Sequence, residues 1–229
     1  PDFFYVNRLA FEPGSSTTFL AATNTGIYRT SDAGATLSRR TTPARFHDVD
    51  FNPSDPGEAI AGSDFYAWWS DDGGFTWNIA SGIPSGTRRV DVAYARSNPS
   101  IVYASVYGGS GTSALMRSTD AGRSYTTVNT TGYMGGQGWY DNIVWVDPTD
   151  HDIVIVGGID LWRSSDGGNT LSKISAWQYA PTSAHADHHM IVEHPDYDGA
   201  SNRRVYFAND GGVYEANDAR SVSIFTGWQ

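Results

Sequence analysis

The chain of 229 residues contains no cysteine, which excludes disulfide bonds and thiolate metal sites and leaves the cellular compartment open. It has no apolar run long enough to span a membrane and no recognisable signal peptide, so we expect no membrane insertion. No linker or low-complexity tract interrupts it. Because it begins at Pro1, we expect a processed or excised chain, and its 39% hydrophobic content is enough to bury the core of one domain.

Basic residues are also scarce. The chain has 15 Lys and Arg against 25 Asp and Glu, which gives a formal net charge of −10. Such a chain repels nucleic acid and anionic membrane surfaces, so we expect neither as a partner. We expect no cofactor.

A short motif occurs four times: a hydroxyl residue, Asp two positions on, Gly two further, a second hydroxyl, then an aromatic residue or Leu. An Asp side chain accepts hydrogen bonds from backbone amides just ahead of it, and Gly adopts a positive φ at little cost. Each copy therefore predicts a hairpin turn, with a structural role for its Asp and Gly. These pairs are Asp32 and Gly34, Asp72 and Gly74, Asp120 and Gly122, and Asp166 and Gly168.

The spacing of these turns predicts the architecture. Their Asp residues lie 40, 48 and 46 positions apart, and a degenerate fifth copy at Asp218 follows after 52. Such a period, with strand-like content, is typical of propeller blades, each a four-stranded antiparallel sheet. We predict an all-β propeller of about five blades, roughly 1–42, 43–85, 86–132, 133–178 and 179–229. A closed five-bladed ring and a segment of a ring of about seven blades both fit, and we favour the segment.

The repeated motif resembles the Asp-box, or bacterial neuraminidase repeat, of sialidases, oligoxyloglucan-hydrolase-type glycosidases, sortilin-type receptors and a plant photosystem assembly factor. The resemblance covers nearly the whole chain and implies the propeller fold, which hosts several functions. Four segments also resemble stretches found together in secreted bacterial proteins of the glycosyl-hydrolase-like repeat type, which implies an extracellular or cell-surface location. They are residues 136–141, 156–164, 185–189 and 209–214.

In propellers of this type the repeated turns lie on one face and ligand sites gather on the other, at the starts of innermost strands and the loops between second and third strands. Exposed aromatic rings there would stack on sugars. The candidate ligand-binding residues on that face are Arg88, Trp139, Tyr140, Asp141, His185, Asp187 and His188.

Three Asp residues occupy corresponding loops between second and third strands and are the candidate catalytic residues: Asp64, Asp160 and Asp210. The surroundings of Asp210 resemble those of a catalytic Asp in the oligoxyloglucan-hydrolase family. Glycoside cleavage needs two carboxyl groups, about 5–5.5 Å apart for retention and about 6.5–9.5 Å for inversion. That family divides its pair between two propellers, whereas this chain supplies one. The alternative for Asp210 is a structural role in a turn.

Two further hypotheses are weaker. A sialidase needs a Tyr nucleophile with a Glu partner, and none of the four Glu residues lies convincingly at the mouth. A metal could bind His185, Asp187 and His189, but neighbouring residues of a strand point to opposite faces, so we expect these histidines to hydrogen-bond between blades and no metal. The leading hypothesis is a propeller that engages a glycan at its channel mouth, with glycoside hydrolase activity. The alternative is a non-catalytic, protein-binding scaffold or receptor.

Overall fold

The computed structural model describes residues 4–109 and 111–229. Within these ranges the chain consists of β-strands and turns, with one short 3-10 helix at Trp177–Tyr179. The described residues contain no helix that is long and apolar enough to cross a membrane. Five antiparallel sheets follow one another along the chain, and together they form a β-propeller, which confirms the predicted fold class.

In each blade the strands run in chain order from the channel outwards. Blade 1 contains β1 (Val6–Phe11), β2 (Phe19–Thr23), β3 (Gly26–Thr30) and β4 (Ser38–Arg39). Blade 2 contains β5 (Phe46–Phe51), β6 (Ala59–Ser63), β7 (Ala67–Ser70) and β8 (Asn78–Ile79). Blade 3 contains β9 (Arg89–Tyr94), β10 (Val102–Gly109), β11 (Thr112–Ser118) and β12 (Thr126–Asn129). Blade 4 contains β13 (Ile143–Val146), β14 (Val154–Gly157), β15 (Leu161–Ser164) and β16 (Ser172–Lys173).

Blade 5 is less regular. It contains β17 (His188–Glu193), β18 (Val205–Asn209) and β19 (Gly212–Ala216). Its fourth strand is reduced to a bridge between Ala216 and Trp228, supported by paired backbone hydrogen bonds between Glu215 and Gln229. Residues 223–226, which precede this bridge, form a tight turn in which Ser223 and Thr226 bond to each other.

The four repeated turns join the third and fourth strands of blades 1 to 4. In the first turn, Asp32 Oδ1 accepts hydrogen bonds from the Thr36 amide at 2.8 Å and the Thr30 hydroxyl at 2.7 Å. The Thr36 hydroxyl donates to Asp32 Oδ2 at 2.7 Å. These bonds lower the pKa of Asp32 to about 2, and the bond from the Thr30 hydroxyl has the largest effect. The same contacts recur at Asp72, Asp120 and Asp166, so these carboxylates are occupied within their own turns.

The core lies between blades, where their flat faces pack on each other. Leu20 and Ile27 of blade 1 pack against Phe46, Val49 and Phe51 of blade 2, all of them buried. Similar clusters join each following pair of blades. The repeated turns also contribute to these interfaces. Gly74, whose φ is +85°, packs so close to the Leu20 side chain of blade 1 that a Cβ there would lie 2.7 Å from it. Neighbouring blades therefore require each other to bury their apolar strands.

The first and last blades differ from the middle three. On β1, Leu9 and Phe11 are 50% and 54% exposed, and on β17, Met190 and Val192 are 43% and 46% exposed. The corresponding strand of blade 2 keeps Val49 and Phe51 at 2% exposure. The exposed faces are those that additional blades would cover in a larger ring.

Candidate functional site

The mouth of the channel lies at the end of the propeller opposite the repeated turns. Each innermost strand begins there, and each loop from second to third strand returns there, because the strands are antiparallel and follow in order. A cavity of about 310 Å³ opens at this point between blades 1, 2, 3 and 4. Its lining includes Asn7, Arg45, His47, Arg89, Trp139 and Tyr140.

Arg89 fixes one wall of this cavity. Its Nη1 donates to the carbonyl oxygens of Tyr140 at 2.6 Å and Trp139 at 3.3 Å, and its Nη2 donates to that of Asn142 at 3.1 Å. Asp91, which is 3% exposed, pairs with the same guanidinium at 3.0 Å. The loop before β13 is thus held in place by a charged side chain of the neighbouring blade.

That loop presents two aromatic rings to solvent. Trp139 is 64% exposed and Tyr140 is 42% exposed, and their ring centroids lie 5.7 Å apart with the planes tilted by 45°. Aromatic residues at this level of exposure in a folded domain are typical of binding surfaces rather than cores. We call this pair the aromatic platform.

The aromatic platform is connected to a carboxylate of blade 5. The Tyr140 hydroxyl donates to the Asp210 carboxylate, with distances of 3.1 and 3.2 Å to its two oxygens. His189 Nε2 lies 2.6 Å from Asp210 Oδ1, and its ring meets that of Tyr140 edge-on at 4.9 Å. The hydrogen bond from His189 lowers the pKa of Asp210, and the bond to Asp210 raises the pKa of Tyr140. Asp210 is therefore ionised at neutral pH.

A second pair of carboxyl groups lies beside this cluster. Gln137 Nε2 donates to Asp141 Oδ2 at 3.1 Å and to Asp187 Oδ1 at 2.5 Å, joining blades 4 and 5. Asp141 is fully buried, and burial raises its pKa to about 7. Asp187 has a φ of +66°, a left-handed conformation that is unusual for a residue with a Cβ. Such strain is common at functional sites.

The histidines of this segment separate as the strand geometry predicts, but the expectation that they hydrogen-bond between blades was wrong, because among the described residues none of their imidazole groups bonds to another blade. His188 is fully buried, neither ring nitrogen has a hydrogen-bond partner among the described residues, and burial lowers its pKa to about 3. His189 points to the mouth instead. His185 lies against the loop after β18, where a Cβ on Gly211 would be 2.4 Å from its ring. The described residues contain no group of three or more His, Cys, Asp or Glu that could hold a metal ion.

The other two candidate carboxylates are engaged elsewhere. Asp160, which is 8% exposed, pairs with Lys173 at 2.7 Å and accepts a 2.8 Å hydrogen bond from the Trp177 amide. Asp64 lies 2.6 Å from His47 Nε2. Of the three predicted catalytic residues, Asp210 is the one that the structure joins to the aromatic platform by hydrogen bonds.

Arg88 faces a neighbouring cavity of about 740 Å³, which is also lined by Asp64, Phe65 and Tyr66. The contact between Asp64 and His47 therefore forms the wall between this cavity and the mouth. We call the two spaces the mouth cavity and the lateral cavity.

Sequence reasoning missed two residues of the site. Gln137 lies within residues 136–141, one of the segments that resemble glycosyl-hydrolase-like repeat proteins. Nothing in its residue type or position in the sequence indicates that it connects Asp141 to Asp187. Arg45 comes immediately before β5, one residue ahead of the innermost strand. Arg88 occupies the same place before β9, and this correspondence could have identified Arg45.

Comparisons with known proteins support the architecture. No protein-family model matches the chain, and no curated protein matches it. The chain is similar to the GH74 enzyme of Niastella koreensis, with 17% identity, a TM-score of 0.53, and coverage of 97% of this chain and 46% of that chain. An ancestral GH74 enzyme gives 18% identity, a TM-score of 0.58, and coverage of 99% and 41%. A structure of YCF48 bound to D1 peptide gives 16% identity, a TM-score of 0.62, and coverage of 100% and 68%.

At these identities the likeness establishes the propeller fold alone. The chain spans less than half of the GH74 enzymes and about two thirds of the YCF48 chain. The neighbours thus include glycoside hydrolases and a protein that binds a peptide, so the function has to be argued from the site.

Proposed function

We propose that this protein is an Asp-box propeller, secreted or at the cell surface, that engages a glycan at its channel mouth. The observation that carries the proposal is the aromatic platform of Trp139 and Tyr140, which stands beside the ionised carboxylate of Asp210. An aromatic face covers the apolar side of a pyranose ring, and a carboxylate accepts hydrogen bonds from sugar hydroxyls.

The same site contains groups suited to glycoside hydrolysis. Asp210 has a lowered pKa, whereas that of Asp141 is raised to about 7 by burial. Carboxyl groups whose environments push their pKa values apart are what acid and base roles require. Asp141 itself is buried and cannot reach a substrate, but Gln137 holds it beside Asp187, which is partly exposed. In this proposal Asp210 and Asp187 face the scissile bond, and Asp141 is a positioning residue.

A panel of polysaccharides tests both parts of the proposal. Retention of the protein in affinity electrophoresis reports binding, and release of reducing ends reports hydrolysis. We expect retention by at least one polysaccharide and loss of it in Trp139→Ala. The absence of both signals across neutral and acidic polysaccharides would refute the proposal.

The competing function is a non-catalytic scaffold that binds a protein. It is favoured by the exposed apolar side chains on β1 and β17, and the similarity to YCF48 in complex with a peptide is compatible with it. It predicts that the native protein elutes with a protein partner in size-exclusion chromatography and is retained by no glycan.

We also propose that the exposed faces of blades 1 and 5 are covered by further blades of a larger ring. The partial coverage of the GH74 and YCF48 chains is compatible with this. The intact mass of the native protein tests it, because a larger ring requires a mass above 24.9 kDa.

A further inference from the structure

Most cationic side chains of this acidic protein are already paired. Of the 15 Lys and Arg residues, ten have a carboxylate oxygen within ion-pair distance. Arg163 instead donates to the carbonyl oxygens of Ala219 and Val222, and Arg40 stacks over the Phe75 ring at 4.8 Å. Within the described residues, three guanidinium groups have no such partner: Arg39, Arg45 and Arg88.

Two of these three arginines lie at the mouth end of the propeller, each directly before an innermost strand. Arg45 lines the mouth cavity and Arg88 lines the lateral cavity. The shared wall is the pair of His47 and Asp64, in which the carboxylate is already bound to the imidazole at 2.6 Å. Among the described residues, no carboxylate neutralises either of these two solvent-exposed guanidinium groups.

Among the described residues, none that lines the mouth cavity is acidic, although the protein has a net charge of −10. Arg45, His47 and Arg89 line it together with Trp139 and Tyr140. Its volume of about 310 Å³ lies at the lower end of the range of small-molecule sites, about 300–1,000 Å³. A space of this kind fits a sugar ring that carries a negative charge.

The lateral cavity also combines aromatic rings with a guanidinium group, and the one carboxylate in its described lining, Asp64, is bound to His47. Phe65 is 58% exposed and Tyr66 is 45% exposed, and both line it with Arg88. Aromatic rings supply surfaces for sugar rings, and a guanidinium binds a carboxylate through two parallel hydrogen bonds. Two adjacent cavities with the same chemistry suit a polymer that repeats an anionic sugar.

On the basis of the glycan-binding function proposed above, we propose that the ligand is an acidic glycan built from uronic acid residues. Arg45 takes a carboxylate in the mouth cavity, and Arg88 takes another in the lateral cavity. The carboxylate, rather than the sugar hydroxyls alone, selects the ligand.

Isothermal titration calorimetry with hexagalacturonate, its fully methyl-esterified form and hexaglutamate tests this inference. We expect hexagalacturonate to bind at least about tenfold more tightly than either of the others, because a hydrogen bond between a guanidinium and a carboxylate is stronger than one between neutral groups. We expect Arg45→Gln and Arg88→Gln each to lower its affinity about tenfold or more. Arg39→Gln is the matched control, since it removes an equally unpaired, exposed charge outside both cavities, and we expect no change.

Several results would overturn the inference. They are the absence of hexagalacturonate binding, equal affinity for the methyl ester, an equal loss in Arg39→Gln, and unchanged affinity in both Arg45→Gln and Arg88→Gln. Equal affinity for hexaglutamate would mean that the site recognises acidic peptides. Retention of neutral glycans without a preference for acidic ones would overturn this inference and leave the proposed function intact. Failure to bind any glycan would overturn both.

Discussion

The guanidinium of Arg89 donates a 2.6 Å hydrogen bond to the carbonyl oxygen of Tyr140, and so connects the innermost strand of blade 3 to the mouth loop of blade 4. The same group reaches the carbonyl oxygens of Trp139 and Asn142. Because a planar guanidinium donates in fixed directions, it sets the orientation of the loop as well as its distance from blade 3. The aromatic platform thus depends on a residue that need not touch the ligand.

We expect Arg89→Lys to lower glycan affinity about tenfold, because a lysine ammonium cannot reproduce the forked pattern of bonds to three carbonyl oxygens. Calorimetry with the polysaccharide that the wild-type protein retains is the measurement. Arg117→Lys is the control, since Arg117 pairs with Asp152 at 3.7 Å and lines neither cavity. Unchanged affinity in Arg89→Lys would show that the loop is held by other contacts.

Asp210→Asn tests the hydrolytic part of the proposal. An amide keeps the shape of the side chain but cannot serve as nucleophile or base, so we expect reducing-end release to fall by about 100-fold or more while glycan retention persists. Asp196→Asn provides the control. It neutralises another Asp side chain of blade 5, which is 88% exposed. Equal hydrolysis by Asp210→Asn and the wild-type protein would remove Asp210 from the reaction.

Asp141→Asn should change the pH dependence of stability. Burial raises the pKa of Asp141 from 3.8 to about 7, so the folded chain holds this proton more tightly than the unfolded chain does. Its contribution is fully present below pH 3.8 and is lost as the pH rises through about 7. We therefore expect the Tm of Asp141→Asn to exceed that of the wild-type protein by several degrees at pH 8, with the difference vanishing near pH 4. A difference that is independent of pH would contradict the assignment of a buried, titrating carboxyl.

The repeated turns predict the opposite dependence. The pKa of Asp32 is lowered from 3.8 to about 2, so its contribution to stability is present above pH 3.8 and disappears as the pH falls through about 2. We expect Asp32→Ala to lower the Tm at pH 7, and we expect this difference to shrink as the pH falls towards about 2 in circular dichroism melts. Glycan affinity should not change, because the turn lies at the opposite end of the blade. A loss of affinity would show that the two ends are coupled.

The architecture could be predicted because its cause is local. Asp32 and Thr36 lie within one turn, so their bond is encoded in adjacent residues, and the repetition of that turn sets the blade period. The fourth strands were harder to predict. In blade 2 the regular pairing of this strand is limited to Asn78–Ile79, and Phe75 is 46% exposed where it meets arginine side chains of blade 1.

For the site, the sequence predicted the end of the propeller at which it lies but not the contacts between its residues. Strand order placed Tyr140 and Asp210 at the same end of the propeller, and the structure joins them across 70 residues of sequence. The same reasoning could not distinguish Asp210 from Asp160, because the partner of Asp160 is Lys173 on the neighbouring strand β16. Nor could it assign Gln137, whose bond to Asp187 depends on the packing of blade 4 against blade 5.

The central claim is that a glycan binds on the aromatic platform at the channel mouth. The most direct measurement is the affinity of Trp139→Ala for the retained polysaccharide, compared with Phe75→Ala, which removes an exposed aromatic ring at the opposite end of the molecule. We expect Trp139→Ala to abolish measurable binding and Phe75→Ala to bind like the wild-type protein. Wild-type affinity in Trp139→Ala, or an equal loss in Phe75→Ala, would contradict the account.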